Sequence, residues 1–480
     1  YGLRHFSIVG LPDKAVEEAK ERVGSAVKSS GFQSPHQQPL RVLVSLAPAD
    51  LKKEGSLYDL PIALGYLLAA KKIKFQTANK IFFGELALDG RLRPVKGVVS
   101  FAIAAKEKGF SEIILPKENA TEAALVKKVK IIGAENLNEV IAYLEGKKEI
   151  KSQVLLPDAW KNETANLTDL CHVKGQESSK RALEIAASGD HNLLMTGPPG
   201  AGKTIMAKSL PSILPPLEFE EALEITKIYS VVGLLTKEKP FIGSRPFRSP
   251  HHTSSEAALV GGGNPPRPGE ITLSHRGILF MDEFPEFHRD VLESLRQPLE
   301  NREITVLRAK HSVTFPCRFT LVAACNPCPC GNLGDQDKNC TCTSAQVRMY
   351  KRKTSGPLMD RIDLFVNVPK LKYEKLASQE EKCSCDQIRE RVKMARQTQQ
   401  ARFQGNFTNY EMSLPQIKKH CPIDSPSGEL LKKYVNSSLL SARGYHRVLK
   451  VARTIADLDS SENIKYQHIS EALMYRIRED

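Results

Sequence analysis

Eight residues, GPPGAGKT at 197–204, constrain this chain more than any other stretch. They follow the apolar run NLLMT at 192–196 and precede the helix-compatible IMAKSL at 205–210, so the glycines fall where a strand turns into a helix. In that setting Gly197, Pro198, Pro199, Gly200, Ala201 and Gly202 let backbone N–H groups curl around an anion at a helix N-terminus. Lys203 adds a point charge for the β- and γ-phosphate oxygens, and Thr204 offers a hydroxyl to Mg2+. A bare glycine-rich turn between strand and helix would not require the whole pattern, so the stretch predicts a Mg2+-dependent ATP site.

Two further apolar strands end in residues that such a site needs. GILFMDEF at 277–284 ends in Asp282, placed to hold the metal's shell, and Glu283, placed to orient or deprotonate an attacking water. FTLVAACNP at 319–327 ends in Asn326, able to hydrogen-bond a γ-phosphate or that water. A hydrophobic run followed by Asp-Glu is common by chance; following a phosphate loop it acquires meaning.

At 480 residues the chain is too long for one ordinary core, and two to four folding units are expected. Short β-rich runs alternate with helical patterns over residues 1–145: FSIVGL at 6–11, a helix with Val16, Ala19, Val23 and Val27 on one face, RVLVSL at 41–46, IFFGELAL at 81–88 and EIILP at 112–116. Polar residues at 146–169 read as a linker, residues 170–370 as a second α/β block with a Cys-rich insert at 325–342, and residues 371–480 as a helical lid. The fold class is α/β. ITVLRAKHSVTFP at 304–316 reads as a hairpin with Arg308, Lys310 and His311 at or near its turn.

Lys and Arg outnumber Asp and Glu by 69 to 55, and the net charge of +14 favours polyanionic partners. The longest apolar run, at 60–70, is too short for a bilayer helix, and the start carries no signal-peptide pattern, so a cytoplasmic protein without a membrane role is expected. A strand-like run so close to Tyr1, with no Met, leads us to expect that the natural N-terminus lies upstream.

Ten cysteines in a large protein of a reducing compartment favour free thiols or metal ligands over disulfides. Cys328 and Cys330 face Cys340 and Cys342 across a polar, turn-rich loop, and four thiolates would close a tetrahedral Zn2+ shell. The spacing departs from the commoner C-x-x-C, and free thiols are the alternative. Cys325 reads as a packed strand residue, and the pair Cys383 and Cys385, whose side chains point to different faces of a helix, reads as incidental. His251 and His252 sit in a Pro/Ser-rich loop and read as polar loop contacts rather than metal ligands.

Taken in order, GPPGAGKT, FMDEF, AACNPCPCG, SGPLMDRIDL and SARGYHRVLKVARTIADL resemble the magnesium-chelatase-like AAA+ ATPases, and most closely the ComM/YifB group. The resemblance implies a sensor-1 role for Asn326, an arginine-finger role for Arg361 and a sensor-2 role for Arg443, with Arg447 as a rival. Rival to the finger role is an ion pair of Arg361 with Asp360 or Asp363. It further implies a homo-oligomeric, hexameric ring that moves on DNA in branch migration, with the hairpin's Arg308 and Lys310 facing the pore as phosphate contacts. A similar CPCG and C-x-C arrangement in the family favours structural zinc. The first domain resembles the Lon-protease fold, yet the positions of that family's serine and lysine fall on Leu57 and Val99, with Ser56 and Lys96 one and three residues away, so no peptidase is expected. A chelatase motor that drives metal insertion through a partner subunit is the alternative function.

Overall fold

The computed structural model describes residues 5–39, 41–154, 168–264, 266–308, 311–335, 338–353, 356–371 and 385–476. The chain divides into two compact units: Tyr1–Asn162 with Phe219–Gly243, and Glu163–Glu218 with Ser244–Asp480.

In the first unit, Asp13 caps the helix Lys14–Ser29 by accepting the Val16 N–H at 2.8 Å. Val16, Ala19, Val23 and Val27 recur at three- and four-residue steps and are all buried. This helix joins the parallel strands His5–Val9 and Arg41–Ser45. A second parallel sheet runs Lys80–Phe82, Glu112–Pro116, Lys130–Ala134, and its central strand is buried throughout. The run expected as one strand at 81–88 is broken in two. Gly84 donates its N–H to Leu57 and accepts from the Leu60 N–H, at 3.1 and 3.0 Å, so no ladder partner is available there. Glu85–Leu86 then pairs antiparallel with Leu92–Arg93.

Residues 219–243, which the linear reading assigns to the 170–370 block, fold with this first unit. Their helix, Phe219–Val232, buries Ala222, Ile225 and Tyr229. Its end is pinned by the Gly97 N–H donating to the Ser230 carbonyl at 2.9 Å and by the Ser230 hydroxyl donating to Glu122 at 2.9 Å. Burial raises the Glu122 carboxyl above its ordinary pKa, against the hydrogen bonds from Asn119 and Ser230.

The second unit is built on a five-stranded parallel sheet in the order Leu364–Asn367, Leu193–Thr196, Thr320–Cys325, Ile278–Met281, Phe247–Arg248. Alternate residues serve two cores, as strand geometry requires. Met195, Phe280, Val322 and Ala324 pack with the helices Glu177–Gly189, Cys385–Phe403 and Ala442–Leu458. Leu194, Leu279, Met281, Leu321 and Ala323 pack on the other face with Phe284, Val291 and Leu295. Covering both faces explains why these strands read as unbroken apolar runs. The antiparallel strands Glu303–Arg308 and His311–Pro316 form the expected hairpin. Past the sheet the described residues are mainly helical, the longest helix among them being Cys385–Phe403, and none of the helices among the described residues is long and apolar enough to cross a membrane.

One expectation about cysteines is overturned. Cys385, read as incidental, is disulfide-bonded to Cys171 across 214 residues, with Cα atoms 5.7 Å apart; Cys383 lies outside the described residues. The fold sets the turn Leu170–His172 against the first turn of Cys385–Phe403, a junction also held by Arg389, which donates to Asp169 at 2.7 Å and to the Ser212 carbonyl at 2.8 Å. No sequence spacing encodes a pair that tertiary packing alone brings together.

Candidate nucleotide site

Three adjacent parallel strands end at one edge of the sheet, and their registers, Cys325 beside Thr196 and Met281 beside Ala323, bring Gly197, Asp282 and Asn326 together there. The strand Leu193–Thr196 lies between neighbours that both come later in the chain, and the crevice beyond the carboxyl end of such a strand is where open α/β sheets bind ligands. Gly202 caps the helix Lys203–Ser209 at φ +89°, a left-handed conformation that a side chain would strain. Gly197 passes so close to the Val368 carbonyl that a Cβ would sit 2.2 Å from its oxygen.

The Lys203 ammonium is buried and donates to the Gly197 and Pro198 carbonyls at 2.5 and 3.0 Å and to Asn326 Oδ1 at 3.1 Å. Burial depresses its pKa, partly offset by Cys325 and Asp282, and a phosphate beside it would favour the charged form. Thr204 Oγ1 donates to Asp282 Oδ2 at 2.8 Å, so a hydroxyl and a carboxylate converge as hard oxygen donors of the kind Mg2+ takes. Asp282 Oδ1 accepts the Glu283 N–H at 3.0 Å. Glu283 itself adopts φ +51° directly after the strand, which swings its carboxylate out to 54% exposure. That carboxylate meets His252 Nδ1 at 3.1 Å, while the His251 ring lies tilted against that of His252, centroids 4.2 Å apart, and contacts the Thr253 hydroxyl. Neither histidine belongs to a metal-ligand cluster among the described residues.

The arginines part company. Arg361 is enclosed: one guanidinium nitrogen donates to the Pro357 carbonyl at 2.6 Å, another pairs with Glu300, and Nε is buried with no partner among the described residues. Asp360 and Asp363, the partners weighed from sequence, are taken by Arg476 and Arg447. Arg447 is held by fully buried Asp363 and by the Arg361 carbonyl, whereas Arg443, one turn earlier on the same helix, is exposed. Asn192, which sequence reading passed over, joins these groups: its N–H donates to Asp363 at 2.9 Å, and its amide donates to the Arg361 carbonyl and the Tyr410 hydroxyl, each at 3.1 Å. The Arg447 guanidinium and His191 hold Asp363 well below the ordinary carboxylate range despite burial. Lys310 and the side chain of Arg308 lie outside the described residues.

The four knuckle cysteines converge. Sγ of Cys328 lies 3.4 Å from that of Cys330 and 3.6 Å from that of Cys340, and all four sulfurs lie within 4.8 Å of one another. A tetrahedral shell with Zn–S near 2.3 Å sets sulfurs about 3.8 Å apart, so the donor set fits zinc. Backbone N–H groups of Asn332 and Thr341 pull the Cys330 thiol down, the neighbouring sulfurs Cys330 and Cys328 push those of Cys340 and Cys342 up, and the Leu333 N–H donates to Cys328 Sγ at 3.3 Å. The N–H donors favour thiolate, and four sulfurs this close need a cation between them before all can be thiolates together.

In the first unit, Val99 is fully buried, and Leu57 packs against the core that holds Phe83, Val98 and Ile113. The Ser56 hydroxyl donates to Glu85, and the stem of Lys96 crosses Gly233. Neither arrangement supplies a serine with a lysine base.

The family description "Magnesium chelatase, subunit ChlI" matches residues 169–376, with "Subunit ChlI of Mg-chelatase" matching residues 1–119 and "Magnesium chelatase, subunit ChlI C-terminal" matching residues 382–476. Competence protein ComM of Haemophilus influenzae is 42% identical over 98% of this chain and 92% of its own length. YifB of Escherichia coli is also 42% identical, over 99% of this chain and 92% of its own. Rv2897c of Mycobacterium tuberculosis is 40% identical over 99% and 93%.

Proposed function

Because this chain belongs to the ComM/YifB family of magnesium-chelatase-like AAA+ ATPases, we propose that it forms a hexameric cytoplasmic ring that couples ATP hydrolysis to movement on DNA, migrating branched recombination intermediates during natural transformation. Membership makes it an ATPase that uses ATP and Mg2+. The observation that carries the reading is the meeting of Lys203, Thr204, Asp282 and Asn326 at one sheet edge. In this reading Lys203 neutralises phosphate charge, and Thr204 and Asp282 hold Mg2+, which supplies further charge at the β- and γ-phosphate oxygens. Glu283 takes the proton of the attacking water, Asn326 directs that water or the γ-phosphate, Arg443 reaches the phosphates from the lid, and Arg361 serves the neighbouring subunit's ATP. Support for DNA comes from the net charge of +14, from the hairpin that bears Arg308 and Lys310, and from the competence role in the name of the H. influenzae relative.

The direct test is ATP-dependent strand displacement on forked and four-way junctions, run beside a blunt duplex. Junction substrates should be resolved and the duplex left intact, with ATP turnover raised by DNA. Turnover indifferent to DNA, with no displacement, would sink the motor reading. The family description favours one other reading, a motor for metal insertion through a partner subunit; turnover that responds to such a partner and ignores DNA would establish it.

We assign structural Zn2+ to Cys328, Cys330, Cys340 and Cys342 within the same reading. Protein purified without added zinc should carry about one Zn per chain, and Cys328→Ser/Cys340→Ser should lose the metal together with several degrees of melting temperature, because a structural zinc contributes folding free energy directly. Metal-free protein with unchanged melting would return the four to free thiols.

A further inference from the structure

The helix Ser344–Lys353, which follows the cysteine knuckle, has no part in the site described above, yet its charge is lopsided. Residues 338–353 include Lys338, Arg348, Lys351, Arg352 and Lys353 and no carboxylate. Val347 and Tyr350 face inward, three residues apart, while Arg348, Met349 and Arg352 occupy the opposite, exposed face. Met349 is 70% exposed, and Arg348 makes no ion pair or hydrogen bond among the described residues. Favourable charge at a helix C-terminus accounts for cations in the last turn. It does not account for Arg348 at mid-helix or for an uncovered methionine beside it.

The inner face ties this helix to the nucleotide site. Tyr350 is buried, and its phenol oxygen takes a hydrogen bond from the Asn326 backbone N–H. Lys353 reaches Glu286, three residues past Glu283, at 3.4 Å. Upstream, the knuckle backbone at Gly331 lies against the Pro199 ring of the phosphate loop, where a Cβ would meet that ring at 2.5 Å. The helix Ser344–Lys353 is therefore anchored on the nucleotide side and basic on the solvent side.

We propose that the outward face of Ser344–Lys353, centred on Arg348 and Arg352, is a second nucleic-acid contact that grips the phosphates of a strand, distinct from the hairpin. The inference rests on the DNA reading above. Arginines four residues apart on one face suit successive phosphates, and phosphate contacts grip without reading sequence. A strand held here pulls on the same helix that holds Asn326, which provides a physical route from DNA binding to ATP turnover.

The test is equilibrium anisotropy of a fluorescein-labelled single-stranded oligonucleotide titrated with the full chain over a salt series. Each phosphate contact on a single strand contributes about 0.7 to the slope of log affinity against log salt, so Arg348→Ala/Arg352→Ala should lower that slope by about 1.4 and weaken binding on every sequence alike. Arg348→Lys/Arg352→Lys keeps the charge and should retain the slope, which separates electrostatic contact from disturbed folding. Arg308→Ala/Lys310→Ala serves as the comparison. If the hairpin variant loses slope while the helix alanine variant keeps both slope and affinity, the helix face is not a contact and the DNA reading stands without it. Loss of slope in the lysine variant equal to that in the alanine variant overturns the electrostatic grip, and a wild-type chain that binds no oligonucleotide overturns this proposal and the DNA reading together.

Discussion

Glu283→Gln is expected to bind ATP as the native chain does and to hydrolyse it at least about 100-fold more slowly, the usual contribution of a positioned general base. The expectation follows from how differently the strand treats its two carboxylates. Asp282 is engaged by the Thr204 hydroxyl and the Glu283 N–H, which holds its carboxylate in place, while Glu283 is turned outward by its left-handed backbone and its carboxylate meets the His252 ring. An amide in place of that carboxylate keeps the shape and loses the base. Lys203→Ala should behave differently: the cost of burying that ammonium is only partly offset in the chain itself and phosphate supplies the remaining counter-charge, so its loss should abolish binding as well as turnover. Fluorescent-nucleotide binding and phosphate release, measured on both variants, separate the two roles. Native turnover in Glu283→Gln would mean that another group activates the water.

The nucleotide site was legible because each of its parts is local. A phosphate loop, a strand ending in Asp-Glu and a strand ending in Asn are each contiguous, and parallel strands buried on both faces leave an unmistakable apolar run. The knuckle was legible for the same reason, its four cysteines lying within fifteen residues, 328–342. What escaped was non-local. Cys171 and Cys385 are brought together by tertiary packing alone, and only the fold shows that Arg447 meets Asp363 while Arg443 faces solvent. The helix Phe219–Val232 carries an ordinary amphipathic pattern that does not say which core it will join; Glu122 and Gly97, both far upstream, supply its end partners. The break at Phe83–Gly84 escaped because Leu57 and Leu60, the latter in the first turn of the helix Asp59–Ala69, and not a neighbouring strand, take the glycine's backbone groups.

The family position of Arg361 predicts a loss of about 10³-fold or more in turnover for Arg361→Ala, since an arginine finger contributes on that order. The structure makes this a demanding claim, because the guanidinium is only 9% exposed and already occupied by Glu300 and the Pro357 carbonyl. Its main chain is clamped as well, the carbonyl accepting from Asn192 and Arg447, so the residue can deliver its charge to a neighbour only by exchanging Glu300 for phosphate. Glu300 is half exposed, which places the pair at the edge of the fold and makes that exchange sterically open. Two variants distinguish the finger from a structural ion pair. If the pair is structural, Glu300→Gln leaves a buried arginine without its counter-charge and should lower melting as Arg361→Ala does. If Arg361 is a finger, Glu300→Gln should keep turnover or raise it, because the competing carboxylate is gone. Arg361→Lys should not rescue, since a point charge lacks the planar fork that holds phosphate. Mixing Arg361→Ala with Glu283→Gln closes the argument: each is dead alone, but an interface that takes Glu283 from one variant and Arg361 from the other is complete. Recovery of phosphate release on mixing is the expected result, and no recovery at any ratio, with Glu300→Gln as destabilised as Arg361→Ala, would leave Arg361 as a strut inside its own subunit.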